Sequence, residues 1–169
     1  MKTNRVKALP YQIIESNEMA EVWQDNQTGE YSLHASRSFK PQQVISFFKA
    51  GAILKKPTYL TVQTEVSTHI TLSPTFLQYA NHSCSPNTFF DTTRLEYIAL
   101  QNIEPGDELT FFYPSTEWKM QQPFSCNCNS HRCLGTISGA AFLSASVLKN
   151  YRLTDFIQHQ LSQQSSSAS

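Results

Sequence analysis

Three of the chain's four cysteines, Cys126, Cys128 and Cys133, stand in a C-x-C-x4-C cluster, and the fourth, Cys84, lies far upstream within Asn81-His82-Ser83-Cys84-Ser85-Pro86-Asn87. Three clustered thiolates are one ligand short of a closed tetrahedral zinc site, and Cys84 can supply it. One zinc held by Cys84, Cys126, Cys128 and Cys133 uses every cysteine in the sequence. Four sulfurs leave no position for water, so such a metal is structural and argues against a zinc hydrolase. The alternatives are a disulfide pair or four unrelated buried thiols. Unrelated thiols need no special spacing, and the clustering counts against them.

Redox compartment bears on the disulfide alternative. The sequence shows no charged start followed by an apolar stretch and a small-residue cleavage site, and no apolar run near the roughly 18 residues of a membrane span. An intracellular, reducing location is therefore expected, cytoplasmic or, in a eukaryote, nuclear, and disulfides are disfavoured there. Two matches to the glycosylation sequon, Asn26-Gln27-Thr28 and Asn81-His82-Ser83, carry no weight without a secretory signal. Cys84 with His82 as a hydrolytic pair is a poor alternative. Residues two apart meet only in a special loop, and zinc would consume the thiolate.

Bulk composition narrows the classes further. A chain of 169 residues fits one domain that buries about two-thirds or more of its unfolded surface. It can build a core without metal. With 13 basic and 13 acidic residues the formal net charge is zero, so no global field recruits nucleic acid, and neither direct nucleic-acid binding nor a membrane partner is expected.

The elements that must position the cysteines read as short strands. Turn signals recur between apolar or alternating runs: Tyr11 to Ile14, Ala20 to Gln24, Ser32 to Ala35, Val44 to Phe48, Tyr59 to Val62 and His69 to Leu72. Glu104-Pro105-Gly106-Asp107 puts proline and glycine at the centre of a type II turn joining the runs Arg94 to Leu100 and Glu108 to Tyr113. Only the end looks helical, with Leu153, Phe156, Ile157, Gln160 and Leu161 on one side and an earlier turn permitted before Tyr151. Serine- and glutamine-rich residues from Gln163 to Ser169 read as a disordered tail.

The heptad N-H-S-C-S-P-N resembles the signature of SET-domain protein-lysine methyltransferases. Three further features fall in that family's order. Tyr31 to Ala35 followed by Lys40 to Ile45 is similar to its opening strand and turn, Glu108-Leu109-Thr110-Phe111-Phe112-Tyr113 to its active-site strand, and C-x-C-x4-C before Leu134-Gly135 to its post-SET zinc segment. The resemblance implies a mostly β, SET-domain-like fold of short strands with a pseudoknot-like C-terminal crossing, plus a C-terminal helical segment. The divisions that follow are an N-terminal flank over 1–19, a SET-like catalytic domain over 20–118, a post-SET-like zinc segment over 119–139, a helical extension over 140–162 and the tail over 163–169.

The same resemblance implies methyl transfer from S-adenosylmethionine to a lysine of a protein substrate, with recognition by the SET-like surface itself. Tyr113 matches the active-site tyrosine, which would orient the amine. Phe111, on the same side of the strand by its period of two, and Tyr79 are assigned to the lysine channel. Tyr31, Ser32, Asn81, His82 and Phe124 are assigned to the cofactor. Departures from the family pattern are Glu30-Tyr31-Ser32 where glycine-x-glycine is usual, Gln78 for arginine, Phe112 for aspartate and Pro114 for glycine. Ser32 motivates weaker cofactor binding, and Ser32, Phe112 and Pro114 motivate a second reading as a catalytically silent, zinc-containing peptide-binding module.

Overall fold

The structure, a computed structural model, describes residues 9–167. Its first sheet is an antiparallel meander of β1 (Tyr11–Ser16), β2 (Ala20–Asp25) and β3 (Tyr31–Ala35). Between β2 and β3 the Asp25 carboxylate accepts from the backbone N–H groups of Gln27 and Thr28, at 2.7 and 2.8 Å, an Asx-type turn that closes on Gly29 at φ 75°. Alternation decides the faces: Ala20, Val22, Leu33 and Ala35 are buried in the core. The opposite face carries a ring stack in which Trp23 lies 3.9 Å from Tyr11 and 3.7 Å from His34. Because β1 pairs with β2, the boundary at residue 19 cuts through this sheet; residues 1–8 of the flank lie outside the described residues.

A second sheet, ordered β5-β7-β6, comprises β5 (Lys49–Leu54), β6 (Thr61–Glu65) and β7 (Thr68–Ser73); β4 (Val44–Phe47) precedes it along the chain. No periodicity announces β5, whose Lys-Ala-Gly-Ala run is poor in strand formers. It is held by pairing with β7, across a register slip between Ala50 and Ile53. Gly51 is needed in that slip, since a Cβ there would stand 2.7 Å from Thr71 Oγ1, which accepts from Ala52 N. β6 starts at Thr61 rather than Tyr59, a residue 91% exposed in the preceding turn.

The chain then makes a short 3-10 helix, Thr75–Tyr79, and enters β8 (Asn81–His82), β9 (Thr88–Asp91) and β10 (Glu96–Ala99). β10 lies between β4 and β9. Asp91 closes the tight turn after β9 by accepting from Thr93 N and Arg94 N, and Leu95 has φ 58°, so the strand begins at Glu96 and not at Arg94. The type II turn forms as read: Asp107 N donates to Glu104 O at 3.1 Å and Gly106 has φ 89°.

The run Glu108 to Tyr113 is not one continuous strand. Only β11 (Thr110–Phe111) is regular, and it pairs in parallel with β8, Thr110 beside Asn81 and Phe111 beside His82. Tyr113 opens a 3-10 turn, Tyr113–Ser115. Pro114 is the cause, having no N–H to give to a ladder and a fixed φ suited to a turn. A two-stranded ribbon of β12 (Phe124–Ser125) and β13 (Thr136–Ile137) brackets the cysteine cluster.

The C-terminal part forms a second apolar core. A 3-10 turn, Ala140–Phe142, leads to α1 (Ala145–Leu148), capped by Ser144, and to α2 (Asp155–Ser167). Leu153, Phe156, Ile157 and Leu161 pack with Leu148, Ala140 and Phe112, on the side that the helical spacing assigns to them. The expected tail is corrected in part: α2 runs through Gln163 as far as Ser167, and residues 168–169 lie outside the described residues. Ser162, Ser165 and Ser166 each donate to a carbonyl one turn back, so hydroxyls that favour coil in isolation are bonded within the helix.

Candidate active site

The parallel pairing of β8 with β11 brings the heptad beside the Tyr113 corner. Tyr113 N donates to His82 Nδ1 at 3.2 Å, and its hydroxyl lies 3.5 Å from Ala80 O. Phe111 is 4.7 Å from the Tyr113 ring, centroid to centroid, so the two share a side although Tyr113 has left the strand. Phe124 lies 5.9 Å from Tyr113 and 5.7 Å from His82. Tyr79, next to Ala80, leans on Tyr31 with ring centroids 5.0 Å apart.

Tyr113, Phe111, His82 and Phe124 thus form one aromatic cluster, with Tyr79 and Tyr31 paired beside Ala80. Burial, with the charges of Glu108 and Glu117 adding to it, pushes the Tyr113 phenol up to about 12, so the hydroxyl stays protonated at neutral pH. His82 is driven the other way. Burial lowers it to about 4, leaving a neutral ring that presents no like charge to a cation bound nearby.

Asn81 spends both amide hydrogens on acceptors, Tyr31 O and Glu108 Oε1, each at 3.0 Å. Its own Oδ1 has no hydrogen-bond partner among the described residues. Tyr31 O, Asn81 Oδ1 and the Glu108 carboxylate therefore offer a group of acceptors suited to an ammonium. Ser32 points to the other face of β3, where its hydroxyl bonds His34 Nε2 at 2.9 Å. His34 Nδ1 in turn donates to Gly106 O. The side chain that replaces the second glycine is thereby drawn to the Trp23 and His34 face, opposite the Tyr31 side chain.

Sequence distance collapses at the cysteines. The sulfurs of Cys84, Cys126, Cys128 and Cys133 all lie within 4.8 Å of one another, and none is in a disulfide. Cys84 and Cys126 are 3.9 Å apart, close to the edge of a tetrahedron with metal–sulfur bonds of about 2.3 Å. The donor set could hold a metal ion. Burial, chiefly, pushes Cys84 up to about 12, whereas at Cys128 burial is outweighed by backbone and thiol donors that bring it down to about 6. A cation bound here would favour the thiolate form of the cysteines that hold it.

Two residues of this region carry no signal in the sequence. Glu117, 7% exposed, accepts from Gln63 N at 2.9 Å and from Thr116 Oγ1 at 3.3 Å, and burial raises its carboxyl to about 7. Tyr151, expected only as the neighbour of a helical turn, donates to Cys84 O at 2.9 Å. Both are brought in by contacts spanning more than 50 residues, which no local pattern encodes.

The model of the SET domain matches residues 8–114, which holds the heptad, β3 and the Tyr113 corner. The chain belongs to the SET-domain family. It is 47% identical over 108 residues to the methyltransferase flvH of Aspergillus flavus, an alignment covering 63% of this chain and 60% of that protein. It is 29% identical over 91 residues to a histone-lysine N-methyltransferase, H3 lysine-36 specific, of Saccharomyces cerevisiae, covering 50% of this chain and 12% of the relative. With the histone-lysine N-methyltransferase ash1 of Drosophila melanogaster it shares 32% identity over 68 residues, 37% of this chain and 3% of the relative. Each alignment spans less than two-thirds of the relative's length. Cys126, Cys128, Cys133 and all that follows lie past the end of the SET match. No helix among the described residues is long and apolar enough to cross a membrane.

Proposed function

We propose that this protein transfers a methyl group from S-adenosylmethionine to a lysine side chain of a protein substrate, with Tyr113 at the reacting centre and one structural zinc on the four cysteines. The observation that carries the reading is the placement of Tyr113, Phe111, His82, Asn81 and Phe124 around one short parallel strand pair within a SET domain. Methyltransferases among the relatives support the reaction class. Four free thiols suit an intracellular, reducing compartment.

S-adenosylmethionine would supply a sulfonium-activated methyl group, held by Asn81, His82, Phe124 and the backbone at Tyr31 and Ser32. What the protein itself must do is hold the acceptor amine neutral, aim it and exclude water. The rings of Phe111, Tyr113 and Tyr79 supply the apolar surface that desolvates an ammonium and favours its neutral form. Tyr113, kept protonated, can donate to or accept from the amine. Neutral His82 buttresses the Tyr113 backbone without adding charge. Zinc on Cys84, Cys126, Cys128 and Cys133 would fix the ribbon that carries Phe124 against this cluster.

Incubating the protein with radiolabelled S-adenosylmethionine and a host-cell lysate tests the proposal. Label in a lysine of an acceptor protein is the expected result. Calorimetric binding of the cofactor without any label transfer would favour the silent binding module, and absence of both would refute the reading.

A further inference from the structure

The part of the chain past the SET match reaches back into the site. Tyr151 lies face to face on Phe112, with centroids 3.6 Å apart and planes 6° from parallel. Its hydroxyl donates to Cys84 O at 2.9 Å, and the Arg132 guanidinium sits 5.5 Å from its ring centroid. Phe112 is the residue immediately before Tyr113, in the position where the family pattern usually has aspartate. It belongs to the C-terminal core with Leu148 and Ile157, whereas Tyr113 packs on the main core. The peptide joining these two residues therefore links the two cores.

Cys84 is gripped at both ends. Its carbonyl is held by Tyr151, and its sulfur accepts from Leu134 N at 3.4 Å and contacts His82 Nε2 at 3.3 Å. A backbone N–H can only donate, so His82 Nδ1, which receives Tyr113 N, is unprotonated, and in the neutral ring the hydrogen sits on Nε2 and points at Cys84 Sγ. Two routes then run from Cys84 to the active-site corner, one through His82 to Tyr113 and one through Tyr151 to Phe112. An outer contact to a metal ligand of this kind fixes the ligand's orientation.

We propose that Tyr151 is a positioning residue, through which the C-terminal cap sets both the sulfur cluster and the Tyr113 corner. The part concerning turnover rests on the methyltransferase reading; the part concerning the cluster does not. Tyr151→Phe keeps the ring on Phe112 and removes only the hydrogen bond to Cys84, while Tyr151→Leu removes both.

The test uses the full chain loaded with zinc and reads two quantities. Competition with a chromophoric chelator gives zinc affinity, and steady-state kinetics on an acceptor lysine gives kcat and KM. Tyr151→Phe is expected to weaken zinc by roughly tenfold. It should also lower kcat with little change in KM, since a misplaced Tyr113 affects the transition state more than binding. Tyr151→Leu should do both more strongly, with Tyr113→Phe as the control that slows turnover by on the order of 100-fold and holds zinc as tightly as the parent. Weaker zinc in Tyr151→Phe from a parent that transfers no methyl group would uphold the anchor and overturn the activity. Zinc affinity in Tyr151→Phe equal to the parent's would overturn the proposal, whatever the kinetics of Tyr151→Leu.

Discussion

Replacing Glu117 by glutamine should stabilise this protein at pH 8 and make its stability less dependent on pH. Burial lifts the Glu117 carboxyl from 4.5 to about 7, against the opposing pull of the Gln63 N–H and the Thr116 hydroxyl. Below pH 4.5 the folded and unfolded chains both hold the proton. As pH rises from 4.5 the unfolded chain loses it first, so stability is withdrawn progressively until the folded group also ionises near 7, and the loss is constant above that. At about 1.36 kcal/mol for each pH unit separating the two values, the full loss is about 3 kcal/mol. Glutamine keeps an oxygen for Gln63 N and Thr116 Oγ1 and cannot ionise. Urea unfolding of zinc-loaded parent and variant at pH 5, 6, 7 and 8 reads the effect as the difference between the two proteins at each pH, which cancels titrations they share. Most of the 3 kcal/mol should develop between pH 5 and 8 in favour of the variant. A difference that stays constant across that range would refute the placement of a buried, proton-holding carboxyl at this position.

Elemental analysis of protein purified without added metal should find one zinc per chain, and Cys84→Ser should lose it; full zinc in that variant would remove Cys84 from the ligand set. Gly139→Ala should destabilise by about 2 kcal/mol or more in the same unfolding assay, because Gly139 has φ 111° and a Cβ there would stand 2.6 Å from the Trp118 carbonyl. Asn81→Ala should weaken S-adenosylmethionine in a calorimetric titration by roughly tenfold, the loss of one or two hydrogen bonds to a charged group; an unchanged affinity would move the cofactor elsewhere.

The first sheet was legible because its strands alternate cleanly about Val22 and Leu33 and are punctuated by an Asx turn, both local signals. The type II turn was legible for the same reason: proline and glycine state their backbone angles directly. β5 and β9 were not, since β5 depends on β7 for its pairing and β9 is buried on every residue, Thr88 to Asp91, so that it shows no alternation. Tyr113 was placed one element too early because periodicity does not register that Pro114 ends the strand. At the site, residue types and spacing named the cysteines, and the structure brings all four together. The contacts of Glu117 with Gln63 and of Tyr151 with Cys84 span the chain, and composition says nothing about such pairs. The serines of α2 misled in the opposite direction, as composition read coil where the side chains bond within a helix docked through Ile157.

Most directly at stake is Tyr113 as the residue that carries methyl transfer. Single-turnover transfer from radiolabelled S-adenosylmethionine to the acceptor found in lysate, compared between the parent and Tyr113→Phe, measures it with one hydroxyl removed and the ring contacts to Phe111 and Phe124 retained. The variant should transfer slower by on the order of 100-fold while keeping zinc and most of its cofactor affinity. A variant as fast as the parent would contradict the account.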